Sequence, residues 1–314
     1  MPHWFYPLHP FDSLSLSTPH RKPRPVRDTK VVNNLNRYRV SMPELPEVES
    51  IRCQLEPLIT GKTIIKGYSF PSKKFQQAKL ASGFHVQTVN RRGKYLLVNL
   101  EKESNGKIKL KELIIHLGMT GSVSIVKEQP DDSYIRAQWQ LDNGQILLFR
   151  DIRRFGRIAV VNPGDYKSLP TLNNMGPEPF DPRLTAASFY QSLSFSKSHL
   201  KTKLLSQKII AGLGNIYVDE SLWRSRINPI ARRIGKERSE TLLISIREVL
   251  SEAINNGGTT LRDYRTPDGL TGKNQHNLNC YGRAGKACKN CSSILKSRII
   301  GQRSTTWCPQ CQIS

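Results

Sequence analysis

The sequence lacks long hydrophobic runs: no apolar segment in its 314 residues approaches the roughly 20 residues that a membrane-spanning helix requires. Acidic residues are also few, because 25 Asp and Glu stand against 48 Lys and Arg and leave a net charge of +23. We therefore expect a soluble protein with a polyanionic partner, most simply nucleic acid. On composition alone, a ribosomal protein or a membrane-surface protein is the alternative.

Cysteine is sparse as well, and four of the six cysteines form two Cys-x-x-Cys pairs that are 16 residues apart. The pairs are Cys288 with Cys291 and Cys308 with Cys311. This spacing is typical of a tetrahedral zinc site, and two disulfides are the alternative. Nothing upstream resembles a secretory signal, so we favour thiolates in a reducing, intracellular compartment. Cys53 and Cys280 have no partner at ligand spacing, and we expect both to be packing residues.

Residues 1–41 differ in composition from the rest of the chain. They hold six prolines, seven Lys and Arg and two Asp, without helical or strand periodicity. Such a segment buries too little apolar surface to offset its ordering entropy, so we expect it to be disordered. An upstream start-site error is the favoured origin, and an organelle transit peptide is the alternative.

From Met42 onwards the pattern is that of folded structure. Apolar residues at helical spacing predict a helix over 46–59. Short β-type runs follow at 62–70, 84–100, 111–126, 136–149 and 156–161, separated by turn residues. They predict a β-sandwich or barrel with one leading helix. A Pro/Gly/Asn-rich linker at 162–185 precedes four helical segments, at 184–193, 197–209, 215–226 and 239–258, the last with Ser239 as its N-cap. We therefore predict a multi-domain α+β protein.

Three motifs together resemble the signatures of the formamidopyrimidine-DNA glycosylase family. They are "MPELPEVE" at 42–49, "AGLGNIYVDE" at 211–220 and "GQRSTTWCPQCQ" at 301–312. The resemblance extends over residues 42–314 and implies an N-terminal β-sandwich, a helix–two-turn–helix domain and a C-terminal zinc finger. On this basis we expect an extension at 1–42, a catalytic β-sandwich domain at 43–172, a DNA-binding domain at 173–275 and a zinc finger at 276–314.

The resemblance also implies a chemistry. Pro43 matches the family nucleophile, whose secondary amine attacks C1′ of the damaged nucleotide and forms a Schiff base. Glu44 matches the general acid that protonates the opening sugar ring. Lys94 matches the lysine of phosphate contact and β-elimination, and Arg303 the arginine of δ-elimination. An attached extension would make the Pro43 nitrogen an unreactive amide, so we expect the working protein to begin at Pro43.

Further residues match DNA contacts of the family. Lys197, Lys201 and Asn215 align with phosphate contacts, Arg154 is a candidate for another, and Tyr134 stands where a DNA-contacting His is common. Met119, Arg153 and Phe155 match the trio that fills the gap left by an extruded base. For the Met or the Phe alone, packing in the core is the alternative. The stretch 257–269 resembles the start of the loop that closes over the flipped base.

These features predict a bifunctional DNA glycosylase that removes oxidised purines from duplex DNA and nicks the strand by β,δ-elimination, with one structural Zn²⁺. We expect a monomer in the bacterial cytoplasm, associated with the nucleoid, with no membrane partner; organelle targeting by residues 1–41 is the alternative. The competing enzyme is the endonuclease VIII type, which prefers oxidised pyrimidines and usually opens with "PEGPE", whereas Leu45 stands here. The competing class is a non-catalytic DNA-binding protein on the same fold.

Overall fold

The structure is a computed structural model that describes residues 42–260, 269 and 271–313. The predicted extension at 1–41 and the centre of the predicted closing loop, residues 261–268, lie outside the described residues. Within the described part of the chain, no helix is long and apolar enough to cross a membrane.

The first element is helix α1, Leu45–Ile59, which confirms the predicted leading helix. Val48, Ile51 and Leu55 are fully buried at helical spacing, whereas Leu58 is partly exposed. Pro46 lies in the first turn, where its missing N–H breaks no helical hydrogen bond. The helix therefore buries one apolar stripe against the sheet that follows.

Eight antiparallel strands form the β-sandwich. They are β1 (Thr63–Ser69), β2 (Phe84–Arg92), β3 (Tyr95–Ser104), β4 (Lys107–His116), β5 (Gly121–Val126), β6 (Ile135–Leu141), β7 (Ile146–Asp151) and β8 (Arg157–Val161). The strand order is β5-β7-β6-β1-β2-β3-β4-β8, with irregularities in register where β1 pairs with β6, β2 with β3 and β6 with β7. Such irregularities bend a sheet. Strands from both ends of the ladder share one core with α1, so the sheet folds over on itself.

The predicted linker contains structure of its own. Helix α2, Pro170–Asn173, follows Leu169, and both Leu169 and Leu172 pack on a second small core formed with β3, β4 and β8. The segment 162–185 is thus partly packed, because its leucines cover the outer face of the sheet.

A 3-10 turn, Gln76–Ala81, lies between β1 and β2. The Nε1–H of the fully buried Trp139 donates to the carbonyl of Ala78 in that turn (2.9 Å).

Four helices follow: α3 (Ala186–Ser194), α4 (Leu200–Leu205), α5 (Asn215–Arg224) and α6 (Lys236–Asn255). They share an apolar core to which α1 contributes Leu45. The prediction of Ser239 as an N-cap is wrong, because α6 begins earlier with Gly235 as its N-cap and Ser239 is buried in the first turns. Helix α4 is shorter than predicted, since Gln207 takes a left-handed conformation (φ 63°) just beyond it.

The C-terminal part is small and loop-rich. A 3-10 turn, Asn274–Asn277, leads to a two-stranded hairpin of β9 (Lys296–Ile300) and β10 (Arg303–Trp307). Gly301 and Gln302 both have positive φ (55° and 61°), as a two-residue type I′ hairpin turn requires. Cys280 is buried, as predicted, whereas Cys53 is exposed on α1, so the prediction that Cys53 packs in a core is wrong.

Candidate active site

Glu44 lies directly before α1, and its carboxylate is bound by the N-terminus of α5. Oε2 accepts from the backbone N–H of Gly214 (2.7 Å) and of Tyr217 (3.3 Å), and Oε1 accepts from Ile216 (2.8 Å). A helix N-terminus offers such free amides to an anion. A Cβ on residue 214 would overlap the Glu44 carboxyl group, which explains the second glycine of "GLGN". The two distant motifs therefore meet at one carboxylate.

The Glu44 carboxylate is almost completely buried, and this burial dominates its protonation. Burial raises its pKa from 4.5 to about 7, although the Lys94 charge and the amides of Ile216 and Tyr217 lower it. Burial in turn lowers the pKa of Lys94, and the charge of Glu44 opposes this shift. At neutral pH, the carboxyl group can therefore give up or take a proton, and the ammonium loses its proton more easily than an exposed lysine.

Lys94 occupies the tight turn between β2 and β3. Gly93 precedes it with φ 55°, and the Gly93 N–H donates to Glu178 Oε1 (2.7 Å). Glu178 also accepts from Arg91 (2.8 Å) and Arg92 (2.9 Å), so this carboxylate ties the turn to the segment that connects the sheet to the helices. The contacts of Glu178 with Arg91, Arg92 and Gly93 thus hold the backbone directly before Lys94 in place.

A cavity of about 670 Å³ brings the predicted site together. Six of the predicted residues line it: Glu44, Lys94, Met119, Arg153, Asn215 and Arg303. Met42 also lines the cavity, and Pro43 is buried between Met42 and Glu44. A carboxyl group, a lysine and an arginine therefore face one space beside the Pro43 nitrogen. This arrangement can hold a phosphate and move protons.

Met119 and Arg153 belong to adjacent loops at one edge of the sheet. The guanidinium of Arg153 lies 4.6 Å from the ring of Phe155, which is 48% exposed. Core packing is therefore excluded for Phe155, since a core phenylalanine would be covered. Met119 and Arg153 thus line the cavity, and Phe155 lies outside the lining but next to Arg153.

Five predicted DNA contacts lie outside the cavity lining: Phe155, Lys201, which is described below, and three others. Tyr134 is exposed, with the Arg150 guanidinium 5.1 Å from its ring. Arg154 is exposed and has a positive φ of 55°. Lys197 is exposed in the bend before α4. All three are accessible to a partner.

Lys201 has a different environment from the one that the sequence predicts. Its side chain is fully buried, and Nζ donates to Asp219 Oδ1 (2.7 Å) and to the carbonyl of Ser304 (2.8 Å). A phosphate contact at this ammonium would require the ion pair to open. In this structure Lys201 instead links α4, α5 and the C-terminal hairpin.

Sequence reasoning missed several buried groups at the site. His116 lines the cavity against the ring of Tyr95 (4.5 Å), and burial together with the Lys94 charge lowers its pKa to about 4, so it is neutral. Glu220 accepts the backbone N–H groups of three successive residues, at 2.9, 2.8 and 2.7 Å. Those donors are Asn279, Cys280 and Tyr281. For Glu220, the available signal was a pair of acidic residues, Asp219 and Glu220, that follows the apolar residues at 216–218 of one helix.

The four cysteines of the two Cys-x-x-Cys pairs form one cluster. Their sulfurs all lie within 4.8 Å of one another, with Cys291 Sγ and Cys308 Sγ 3.4 Å apart. A tetrahedral zinc site with Zn–S bonds of about 2.3 Å needs sulfurs about 3.8 Å apart, whereas a disulfide needs about 2 Å. The cysteines therefore fit one structural zinc ion, and the predicted zinc cluster is confirmed.

Comparison with protein families gives three matches along the chain. Residues 42–158 match the formamidopyrimidine-DNA glycosylase N-terminal domain, and residues 175–265 match the formamidopyrimidine-DNA glycosylase H2TH domain. Residues 285–313 match the zinc finger found in FPG and IleRS. Together they cover more than half of the chain.

Individual relatives are similar over nearly their whole length. Formamidopyrimidine-DNA glycosylase of Deinococcus radiodurans is 42% identical over 277 residues, covering 86% of this chain and 97% of the relative. The crystal structure of MutM (Fpg) from Thermus thermophilus has a TM-score of 0.78 at 40% identity, covering 86% of this chain and 98% of that one. A Lactococcus lactis Fpg mutant in complex with Fapy-dG-containing DNA has a TM-score of 0.77 at 31% identity, covering 87% and 100%.

Proposed function

The chain belongs to the formamidopyrimidine-DNA glycosylase family, and on that premise we propose that it is a bifunctional DNA-repair enzyme. It excises oxidised purines, 8-oxoguanine and formamidopyrimidines, from duplex DNA and then cleaves the strand by β,δ-elimination. Support comes from the similar Lactococcus lactis structure with Fapy-dG-containing DNA and from a similar MutM structure with carbocyclic 8-oxo-G-containing DNA. We further propose that it acts as a monomer in the bacterial cytoplasm.

The observation that carries the proposal is the buried Glu44 carboxyl group beside Pro43, in one cavity with Lys94 and Arg303. In the proposed mechanism the Pro43 amine attacks C1′ of the damaged nucleotide, the base leaves, and the adduct opens to an iminium. Glu44 supplies the proton to the ring oxygen, which suits a carboxyl group whose pKa is raised to about 7 by burial.

Strand cleavage follows from the iminium, which acts as an electron sink. We assign Lys94 to phosphate contact and β-elimination, since burial lowers its pKa and so raises the fraction of free amine that can accept a proton near neutral pH. We assign Arg303 to the phosphate beside the lesion and to δ-elimination. It lies on the hairpin next to the cysteine cluster, where Cys288, Cys291, Cys308 and Cys311 would hold the zinc ion and keep that hairpin rigid.

The nucleophile requires a free amine. In the 314-residue chain the Pro43 nitrogen is part of an amide, and its lone pair is delocalised. We therefore propose that the active form begins at Pro43. Its β-sandwich domain comprises residues 43–172, its helix–two-turn–helix domain 173–275 and its zinc finger 276–314.

The proposed DNA contacts comprise one residue of the cavity lining, Asn215, and three exposed residues outside it. We assign Asn215, Lys197 and Arg154 to the phosphates and Tyr134 to the same surface. Met119, Arg153 and Phe155 fill the gap left by the extruded base, because unstacking costs a few kcal/mol that inserted side chains offset. The exposure of Phe155 and its contact with Arg153 support this role.

Borohydride trapping on duplex DNA with 8-oxoguanine opposite cytosine tests the proposal. A Pro43-initiated chain should give a covalent protein–DNA product, the 314-residue chain should give none, and Pro43→Gly should lower trapping far more than binding. Trapping on oxidised pyrimidines alone would favour the endonuclease VIII type. Binding without trapping on any oxidised base would leave a non-catalytic DNA-binding protein.

A further inference from the structure

The C-terminal hairpin is attached to α4 and α5 by polar contacts of its backbone. Arg303 follows the Gly301–Gln302 turn directly, so its direction depends on how this turn and the next residues are held. The carbonyl of Ser304 accepts from Lys201 Nζ (2.8 Å) and from Asn215 Nδ2 (2.9 Å). These contacts fix the backbone one residue after the arginine.

A second set of contacts holds the residues that follow. Asp219 accepts Lys201 Nζ with Oδ1 (2.7 Å) and the N–H of Thr306 with Oδ2 (2.9 Å). The Cys280 thiol donates to the carbonyl of Thr306 (3.0 Å). The Lys201–Asp219 ion pair thus bridges Ser304 and Thr306, and with them the whole start of β10.

Because this ion pair is buried, a contribution to the free energy of unfolding does not explain its presence. The side chains of Lys201 and Asp219 are 0% and 1% exposed. Removing two charges from water costs several kcal/mol per ion, so a buried pair adds little net stability compared with apolar residues of similar volume. Its directional hydrogen bonds, however, define a single position for the backbone that they contact.

We propose that the Lys201–Asp219 pair is a positioning device that holds the Arg303 hairpin against α5, so that the guanidinium lies opposite Lys94 and Glu44. The role of Arg303 rests on the proposed function; the docking of the hairpin does not. A displacement of about 1 Å in a reacting group can cost about a hundredfold in rate, so loss of the pair should affect the step that needs Arg303.

The chain offers a matched control on the same helix. Lys203 is also buried, and its Nζ donates to the carbonyls of Leu193 (2.7 Å) and Arg232 (2.6 Å) instead of the hairpin. Lys201→Met and Lys203→Met both remove a buried ammonium from α4, but only Lys201→Met removes a contact with β10. Loss of a buried ammonium from α4 would affect both variants, but only Lys201→Met also leaves a buried carboxylate, that of Asp219, without its ammonium.

Two measurements test the proposal. Hydrogen exchange of the amides of residues 304–307, in the zinc-loaded 314-residue chain, should speed up about tenfold or more in Lys201→Met and stay near wild type in Lys203→Met. In the Pro43-initiated enzyme on DNA with an abasic site, the ratio of δ- to β-elimination product should fall about tenfold in Lys201→Met. Borohydride trapping should change less than about twofold, because Pro43 is untouched.

Equal exchange and equal product ratios in the two variants would overturn the proposal. If Lys201→Met does not fold, Asp219→Asn keeps the volume and one neutral acceptor, and the same shifts in exchange and product ratio decide. A wild-type enzyme without trapped product would refute the proposed function. In that case the difference in hydrogen exchange between Lys201→Met and Lys203→Met would still test whether the ion pair holds the hairpin.

Discussion

Replacing Glu44 by Gln should make the chain less sensitive to pH. In the folded chain, burial raises the pKa of Glu44 from 4.5 to about 7. A carboxyl group with a raised folded pKa keeps its proton after the unfolded chain has lost it. Stability contributed by the protonated form is therefore lost as pH rises from about 4.5 to about 7, and it stays lost above that range.

The expected change in unfolding free energy follows from the change in the pKa of Glu44. One pKa unit corresponds to about 1.4 kcal/mol of free energy. For a pKa change from 4.5 to about 7, linkage gives a loss of about 2.5 kcal/mol in unfolding free energy between about pH 5 and about pH 8. Gln has no proton to release, so the Glu44→Gln variant should gain this amount relative to wild type over that interval.

The assay is urea unfolding of wild type and Glu44→Gln, each at several pH values and with zinc present. The 314-residue chain is the right form, because its Pro43 nitrogen is an amide without charge. Buried acids that do not interact with Glu44 cancel in the difference, whereas Glu47 and Lys94 interact with its charge and contribute to the measured change. Gln loses one acceptor for the α5 amides, which gives an offset that is independent of pH.

A constant difference between the two proteins from about pH 5 to about pH 8 would refute the reasoning, since Glu44 would then titrate at an ordinary pKa. In the Pro43-initiated chain, the neighbouring ammonium should lower the pKa of Glu44 and shrink the difference. The same result in both forms would show that the amine does not reach the carboxyl group.

Three further outcomes are expected. Gly214→Ala should lower excision about a hundredfold or more, because its Cβ overlaps the Glu44 carboxyl group, as single-turnover assays would detect. Phe155→Ala, at a half-exposed residue, should cost less than about 0.5 kcal/mol in unfolding free energy but slow excision more than cleavage at a preformed abasic site. Chelation of zinc should abolish DNA binding in fluorescence anisotropy and leave the β-sandwich folded, as circular dichroism would report.

Local pattern was sufficient to predict most of the elements. Strand-forming residues bounded by turn residues located the strands in the sequence. The burial of β3, β4, β7 and β8 does not alternate strictly, because each contains a run of three or four buried residues. Local pattern failed where tertiary contacts decide: Leu58 continues the apolar spacing of α1 but is partly exposed, and Ser239 is a good N-cap residue that lies inside α6. Helix ends depend on packing as well as on capping residues.

The geometry of the candidate site also depends on tertiary contacts that local sequence pattern does not predict. Motifs predicted Glu44, Lys94 and Arg303 as site residues, and all three line one cavity. The contact of Glu44 with the amides of 214–217, however, joins segments about 170 residues apart. No periodicity within either segment encodes that contact. Lys201 is an example, because a lysine in a basic stretch of sequence is expected to be a surface cation. Its burial is explained by the ion pair with Asp219, which lies on another helix.

Helix α5 is where these long-range contacts converge. Its N-terminal amides hold Glu44, while Asn215 and Asp219, four residues apart and hence on one face, hold β10. Apolar residues of the same helix, such as Ile216 and Leu222, pack in the helical core. A single short helix therefore fixes the distance between Glu44, the proposed general acid near the start of the folded chain, and Arg303 near its end. A change that rotates α5 should disturb both groups together, whereas loss of the Lys201–Asp219 pair should disturb the arginine alone.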